Sequence, residues 1–452
     1  MKLSTSVLLT VLAGIKAVSA TSCSYVSGNY YCDEVTNIVY EGIGYSGSYT
    51  DVTDMDETSC DCSTDTASFS GTLSPLDEEL SVHFRGPLKL LQFGVYYPSD
   101  SSSSKKVKRD DSDDECTTTQ HVHHAHKRAV STEYIDVTAT VLVDQYGNTI
   151  TTAATSATSD VSDSSVTVVY SESSTEAITT SEPAYSTESS STSTSSSSDS
   201  SSSSTSTSGW ERVSYYEPGS TTNVTFMNNL GGVNGSGTWS TCFGNSLSYC
   251  NSDGTTAASE AVALDEVTIA SDVEYIIFSG SECSDTSVGD CGYYRSDIPA
   301  YHGFAGASKM FVFEFLMPTE STVSDTTENY DMPAIWLLNA KIPRTTQYGT
   351  CSCWATGCGE LDLFEILSAG EDKLISHLHD GEGDNGTSDG GGGSQDYFAR
   401  PTSSTMKAAV IFYDSEVHIT VVDNSTSFES TIDSDTVSDW LSESGTTVTI
   451  SS

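Results

Sequence analysis

The sequence predicts an all-β protein whose larger unit is an antiparallel β-sandwich over residues 211–452. Three observations carry that expectation. Short β-branched or aromatic runs recur after Trp210: Val267-Thr268-Ile269, Tyr275-Ile276-Ile277-Phe278, Met310 to Phe315, Val410-Ile411-Phe412-Tyr413 and Val417 to Val422. Gly, Asn, Asp and Ser separate the runs, as turns separate strands. No long stretch repeats its apolar residues at helical spacing.

The segments ahead of that unit differ in composition. Lys2, the apolar run Val7 to Leu12 and the small residues Ala17-Val18-Ser19-Ala20 have the pattern of a secretory signal peptide over residues 1–20. That run is shorter than a membrane span, no later segment reaches the ~20 apolar residues a span needs, and the end, Thr446 to Ser452, lacks the hydrophobic tail of a lipid-anchor signal. The expectation is a secreted, extracellular protein without a membrane anchor. Residues 21–98 are rich in Tyr, Gly, Cys and Thr, with β-like runs Leu80 to Phe84 and Leu90 to Tyr97. They read as a small Cys-rich β N-terminal domain, whose Leu90 to Tyr97 strand is a candidate to complete the main sheet.

Residues 99–210 are mostly low complexity and end in an almost pure Ser/Thr tract, Ser189 to Ser208. Such a composition buries too little apolar surface to offset its ordering entropy, so a disordered, O-glycosylated linker is expected. Two dibasic pairs inside it, Lys108-Arg109 and Lys127-Arg128, are candidate processing sites. Between them lies His121-Val122-His123-His124-Ala125-His126. With no ordered scaffold to fix their geometry, these histidines read as incidental, and neither a metal nor a cofactor is expected.

The net charge of −45 excludes nucleic acid as a partner, because no basic stripe is present to neutralise phosphates. It suits a neutral polysaccharide, though a secreted surface can be acidic for solubility alone. Twelve cysteines fit an oxidising route, and in that setting Cys351-x-Cys353-x4-Cys358 reads as disulfide chemistry rather than a metal clip. Five cysteines precede Trp210 and seven follow it, so full pairing requires a bridge between the halves, with Cys116 as the candidate. Sequons place Asn223, Asn234, Asn385 and Asn424 on the surface as candidate N-glycosylation sites.

The chemistry concentrates in Glu360-Leu361-Asp362-Leu363-Phe364-Glu365. Apart from its acids this run has the character of a buried strand, where three carboxylates are costly without a solvated groove or a chemical role. Glu360 and Asp362 share one strand face; Glu365 has the wrong parity by one, which a single bulge would restore. A row of acids of this kind fits glycoside hydrolysis, where two carboxyl groups flank the scissile bond and a third keeps their pKa values apart. A calcium site or an exposed acidic strand edge fits the spacing as well.

The neighbouring residues resemble glycoside hydrolase family 16, the laminarinase and endo-1,3-β-glucanase group, whose signature is Glu-x-Asp-x-x-Glu. Trp354 and Gly359 precede the acids, Pro333-Ala334-Ile335-Trp336-Leu337-Leu338 looks like the family's apolar Trp motif, and Lys309 to Phe315 is similar to the strand before it. Ile375-Ser376-His377-Leu378-His379 looks like the family's following His strand. Asn229-Leu230-Gly231-Gly232 resembles a motif that normally follows the catalytic strand, yet here precedes it by roughly 130 residues. With the Cys-rich start and Ser-rich linker, this order resembles the fungal cell-wall proteins described as circularly permuted 1,3-β-glucanases. A sandwich whose ends lie close together tolerates such a permutation.

The resemblance implies a circularly permuted jelly-roll, concanavalin-like sandwich acting on cell-wall β-1,3-glucan by the retaining route, as a monomer. It implies Glu360 as nucleophile, Asp362 as helper and Glu365 as general acid/base. Trp336, Trp354 and Tyr330 are candidates for sugar stacking, with Trp336 equally at home in the core. His379 is expected beside the helper acid, and His377 on the same face remains open. Three activities fit: an endo-1,3-β-glucanase or a transglycosylase sharing its first half-reaction, a glucan-binding wall protein without turnover, and a structural wall glycoprotein in which the acids are incidental.

Overall fold

A computed structural model describes residues 23–99, 209–233, 236–244, 247–347, 349–382 and 390–450. The leader, most of the Ser/Thr-rich stretch with its dibasic pairs and histidines, Cys116, and the sequons at Asn234 and Asn385 lie outside the described residues. Asn223 and Asn424 are exposed.

Seven strands precede the Ser/Thr-rich stretch: β1 (Ser24–Val26), β2 (Asn29–Tyr31), β3 (Asn37–Glu41), β4 (Gly47–Asp56), β5 (Asp61–Phe69), β6 (Leu80–Arg85) and β7 (Lys89–Pro98). After it come β8 (Gly209–Glu217), β9 (Ser220–Thr222), β10 (Val224–Asn228), β11 (Ser248–Cys250), β12 (Ala257–Ala258), β13 (Glu274–Ser279), β14 (Lys309–Leu316) and β15 (Ala334–Asn339). The short helix α1 (Lys341–Arg344) leads to β16 (Glu360–Glu365), β17 (Lys373–His379), β18 (Gly392–Gly393), β19 (Phe398–Ala399), β20 (Met406–Tyr413), β21 (Glu416–Val422) and β22 (Thr431–Asp433). The helix α2 (Ser434–Leu441) and the strand β23 (Thr446–Thr449) complete the described chain.

These strands form two large sheets. One runs β12-β11-β10-β13-β6-β15-β16-β17-β18, with β19 also on β17; the other runs β22-β8-β7-β14-β20-β21-β3-β23, with β9 on β8. Every pairing of named strands is antiparallel except β23 on β3. Period-two alternation explains the layering. On β6, Leu80, Val82 and Phe84 enter the main core together with Ile335 and Leu337 of β15, Leu374 and Leu378 of β17, and Phe311, Phe313 and Phe315 of β14. Phe84 and Phe313, from opposite sheets, bring their rings to 6.4 Å. The fold is therefore a β-sandwich with its core between the sheets.

The structure departs from the sequence expectation of a separate N-terminal β unit. β6 lies between β13 and β15 in one sheet, while β3 and β7 are strands of the other. The Leu90 to Tyr97 strand does complete a sheet, as β7 between β14 and β8. The physical reason is burial: Leu80, Val82, Phe84, Leu90 and Phe93 are each at most 2% exposed, which a few short local strands could not achieve by themselves. Val267-Thr268-Ile269 is not a strand; only Ile269 makes a bridge, to Leu88.

Among the described residues, five disulfides join Cys23–Cys32, Cys60–Cys242, Cys62–Cys351, Cys283–Cys291 and Cys353–Cys358. Two of them, through Cys60 and Cys62, cross between the halves of the sequence; the candidate Cys116 lies outside the described residues. Both start from the β4–β5 hairpin, whose Tyr49 and Phe69 pack on Ala334, Trp336 and Leu338.

Because β6 is interior to its sheet, residues 209–452 expressed alone should lack a cooperative thermal transition by circular dichroism. A sharp transition from that fragment would show that the first segment is dispensable. In the full chain, Phe84→Ala should cost about 3–5 kcal/mol in denaturant unfolding.

Candidate active site

The acid run is β16, and the bulge that its spacing requires is present. Going from Asp362 to Glu365, three steps on β16 oppose two on β17, since Asp362 pairs with His377 and Glu365 with Ile375. The β15 side has the same irregularity, with Ile335 opposite Phe364 and Trp336 opposite Asp362. Leu363 and Phe364 both enter the core as a result, while Glu360, Asp362 and Glu365 stay partly exposed. One extra residue thus aligns three carboxyl groups on the outer face of the sheet.

Register across four strands arranges their partners in rows. Glu360 lies opposite Leu338 and His379, Asp362 opposite Trp336 and His377, and Glu365 opposite Ala334 and Ile375. Beyond β15, β6 adds Ser81, His83 and Arg85 at the ends of these rows. Arg85 donates to Glu365 Oε1 at 3.1 Å, across 280 residues of sequence, and to the Met332 carbonyl at 2.9 Å. His83 stacks on Trp336 with ring centroids 5.0 Å apart and shares a hydrogen bond with Ser81 Oγ at 2.9 Å. Burial pushes His83 down to about 3, so it is neutral at ordinary pH.

His379 Nε2 lies 3.4 Å from Asp362 Oδ2. His377 instead stacks against the His379 ring at 4.5 Å, and burial, assisted by that neighbour, pushes it down to about 4. The open choice between the two histidines resolves to His379 as the contact of Asp362. Room for the His377 ring comes from Gly393, where a Cβ would fall 2.3 Å from His377 Nδ1.

Trp354 sits in a tight turn, Trp354–Thr356, closed by the Cys353–Cys358 bridge, and its indole N–H donates to Glu360 Oε2. Withdrawal from water and the nearby Asp362 push the Glu360 carboxyl up, against the opposing pull of the Trp354 hydrogen bond. Asp362 is also raised, by burial and then by Glu365, with Arg85 pulling the other way. Glu360 and Asp362 therefore retain protons more readily than isolated carboxylates do.

Two clefts flank it. One of about 520 Å³ is lined by Trp336, Leu338, Gln347, Trp354 and Glu360 among others. The other, about 500 Å³, includes Asp362, Glu365, His377, His379 and Gly28, Asn29 and Tyr30 of the first hairpin. Trp336 is 5% exposed and Trp354 40%, so Trp336 serves the packing beneath the cleft while Trp354 presents its ring to solvent. Tyr330 lines neither cleft. It lies in a turn whose flanking residues, Asn329 and Asp331, adopt left-handed backbone angles and are tied to Asp272 and Ser271. The displaced Asn229 motif does approach the site, because Asn229 Nδ2 donates to Gln347 Oε1 at 3.0 Å.

Sequence reasoning missed Arg85, His83, Gln347 and Tyr30. A signal for the first two was present: Ser81, His83 and Arg85 alternate with Leu80, Val82 and Phe84, the pattern of a strand with one functional face.

Raised carboxyl pKa values have a stability consequence. An acid that holds its proton more tightly in the folded state stabilises that state below its unfolded pKa, and this contribution is lost as pH rises through the folded value. Thermal stability should therefore fall between pH 5 and pH 8. Asp362→Asn should flatten that slope and gain about 0.5–2 kcal/mol at pH 8, as relief of active-site strain commonly does. An unchanged slope in the variant would show that the acid row does not set it.

Two family descriptions match the chain: "Cell wall protein YJL171C/Tos1, N-terminal" over residues 36–98 and "Cell wall protein YJL171C/Tos1, C-terminal" over residues 208–440. A Candida albicans protein named "Probable circularly permuted 1,3-beta-glucanase TOS1" is 52% identical over 476 residues, covering 100% of both chains. The Saccharomyces cerevisiae protein of the same name is 51% identical over 465 residues, covering 99% of each. A more distant relative from Arthroderma benhamiae, "Probable circularly permuted 1,3-beta-glucanase", is 30% identical across 88% of this chain and 87% of its own. No solved structure matches. Alignment along essentially the whole chain at these identities, together with both family segments in the matching order, makes this protein a member of the YJL171C/Tos1 cell wall protein family.

Proposed function

We propose that the chain is a secreted cell-wall endo-1,3-β-glucanase that cleaves its substrate by the retaining, double-displacement route. The observation that carries this reading is the bulge in β16, which brings Glu360, Asp362 and Glu365 to one face between two clefts large enough for sugar rings. The names of the relatives, each a probable 1,3-β-glucanase, support the substrate class. Five disulfides support assembly in an oxidising compartment.

In the first half-reaction Glu360 attacks the anomeric carbon in its ionised form, which burial and Asp362 disfavour and the Trp354 N–H favours. The glycosidic C–O bond breaks, and Glu365 gives its proton to the departing oxygen. In the second, Glu365 takes a proton from water, whose oxygen attacks the anomeric carbon and releases Glu360 from its ester. This chemistry calls for carboxyl groups about 5–5.5 Å apart. Trp354 steadies Glu360 through its indole N–H, Arg85 holds Glu365 by one oxygen, and Asp362, in contact with His379, separates the two. Trp354, with its exposed ring, is the side chain suited to pack on a sugar.

Transglycosylation shares the first half-reaction and differs only in the acceptor, so product analysis separates it from hydrolysis. Glu360→Gln should abolish reducing-sugar release from laminarin, a fall of at least about 10³-fold, as expected on removing a nucleophile, while glucan binding persists. Wild type and variant are compared on laminarin, mixed-linkage glucan, chitin oligomers and cellulose. No turnover of any of these by the wild type would overturn the enzyme reading in favour of a binding or structural role.

A further inference from the structure

We infer that the first hairpin, β1–β2, is a sugar-binding arm of the cleft, with Tyr30 as the platform for a glucosyl ring of a neutral β-glucan. This rests on the glucan-directed reading above and adds to it a subsite outside the matched spans, which begin at residue 36.

The hairpin is built to be fixed in place. Its turn residues Ser27 and Gly28 both have left-handed backbone angles, φ 50° and 99°, the two-residue turn that suits a twisted hairpin. An isolated two-stranded hairpin is marginally stable, but here Cys23–Cys32 closes it and the body of the protein holds its base. Cys32 N–H donates to the Gln395 carbonyl at 2.8 Å and Tyr397 N–H to the Asp33 carbonyl at 3.0 Å. Tyr31 is 1% exposed, packs edge-on to Tyr397 and lies under Lys373.

Strand alternation then sends Tyr30 the other way. It pairs across the hairpin with Tyr25, their ring centroids 4.7 Å apart. Both stay in water, 54% and 63% exposed. Two adjacent aromatic rings left exposed by an otherwise anchored element are not used for packing. Tyr30 lines the same cleft as Asp362 and Glu365, together with Asn29, Ser394 and Gln395.

The chemistry of that wall selects the ligand. From Ser24 to Tyr31 the hairpin has no charged side chain, and Asn29, Ser394 and Gln395 offer neutral donors and acceptors. An aromatic face with neutral hydrogen-bonding groups beside it fits a sugar ring, which presents apolar C–H faces and a rim of hydroxyls. Tyrosine supplies such area at low conformational-entropy cost.

The test uses the full chain in the Glu360→Gln background, with calorimetric binding of β-1,3-gluco-oligosaccharides of increasing length. Tyr30→Ala should weaken binding of the long oligosaccharides roughly three- to tenfold and leave the disaccharide little changed. Tyr30→Phe, which keeps the ring, should restore most of the affinity, and Tyr25→Ala should fall between. Equal affinities of Tyr30→Ala and its parent at every length would overturn the arm while leaving the glucanase reading intact. Failure of the parent to bind any β-1,3-glucan, with no turnover by wild type, would overturn both.

Discussion

The pairing of β6 with β13 and β15 is the constraint on which the rest of the structure depends. Both neighbours belong to the segment after residue 208, and β6 comes from the segment before residue 100. Its backbone satisfies the facing edges of two strands that would otherwise carry unpaired amides and carbonyls within the sheet. Its inner side chains fill the core, and its outer ones complete the rows of the cleft. Structure and site therefore share one strand: Phe84 and Arg85 are consecutive residues with opposite duties.

Local irregularity in β16 does the next part. A regular strand would have directed Glu365 into the hydrophobic interior, where an ionised carboxyl is prohibitively costly. The bulge turns a parity error into a third acid on the cleft face, and the two consecutive apolar residues Leu363 and Phe364 keep the core filled at that point. Burial, and after it the crowding of the acids, raises Glu360 and Asp362. Two of the neighbouring histidines, His83 and His377, do little to relieve that repulsion, because burial keeps them uncharged. Arg85 is the permanent positive charge in contact with the row.

What could be read in the sequence follows the range of the interactions concerned. The acid row, the need for a bulge, and the strands Tyr275 to Phe278, Met310 to Phe315 and Val417 to Val422 are properties of short windows, and each was legible. Strand partners are not local. Nothing within Leu80 to Phe84 says that its neighbours lie about 200 and 250 residues further on, so the first segment read as a unit of its own. Cysteine pairing is equally non-local, which is why the bridges from Cys60 and Cys62 to the later segment could not be read from spacing. Tyr330 lines neither described cleft; an aromatic near a motif carries no information about which way a turn will point it, and the residues on either side are left-handed.

The chain leaves β7 and enters β8 at adjacent points: Pro98 pairs with Trp210, and Ser99 N–H donates to the Gly209 carbonyl at 2.7 Å. The two strands are sequential neighbours among the described residues and pair antiparallel in one sheet. The segments that carry them are also joined by Cys60–Cys242 and Cys62–Cys351. Peptide continuity between residues 99 and 209 is therefore redundant for holding the sandwich together. The two segments would stay covalently joined through these bridges even without that peptide connection.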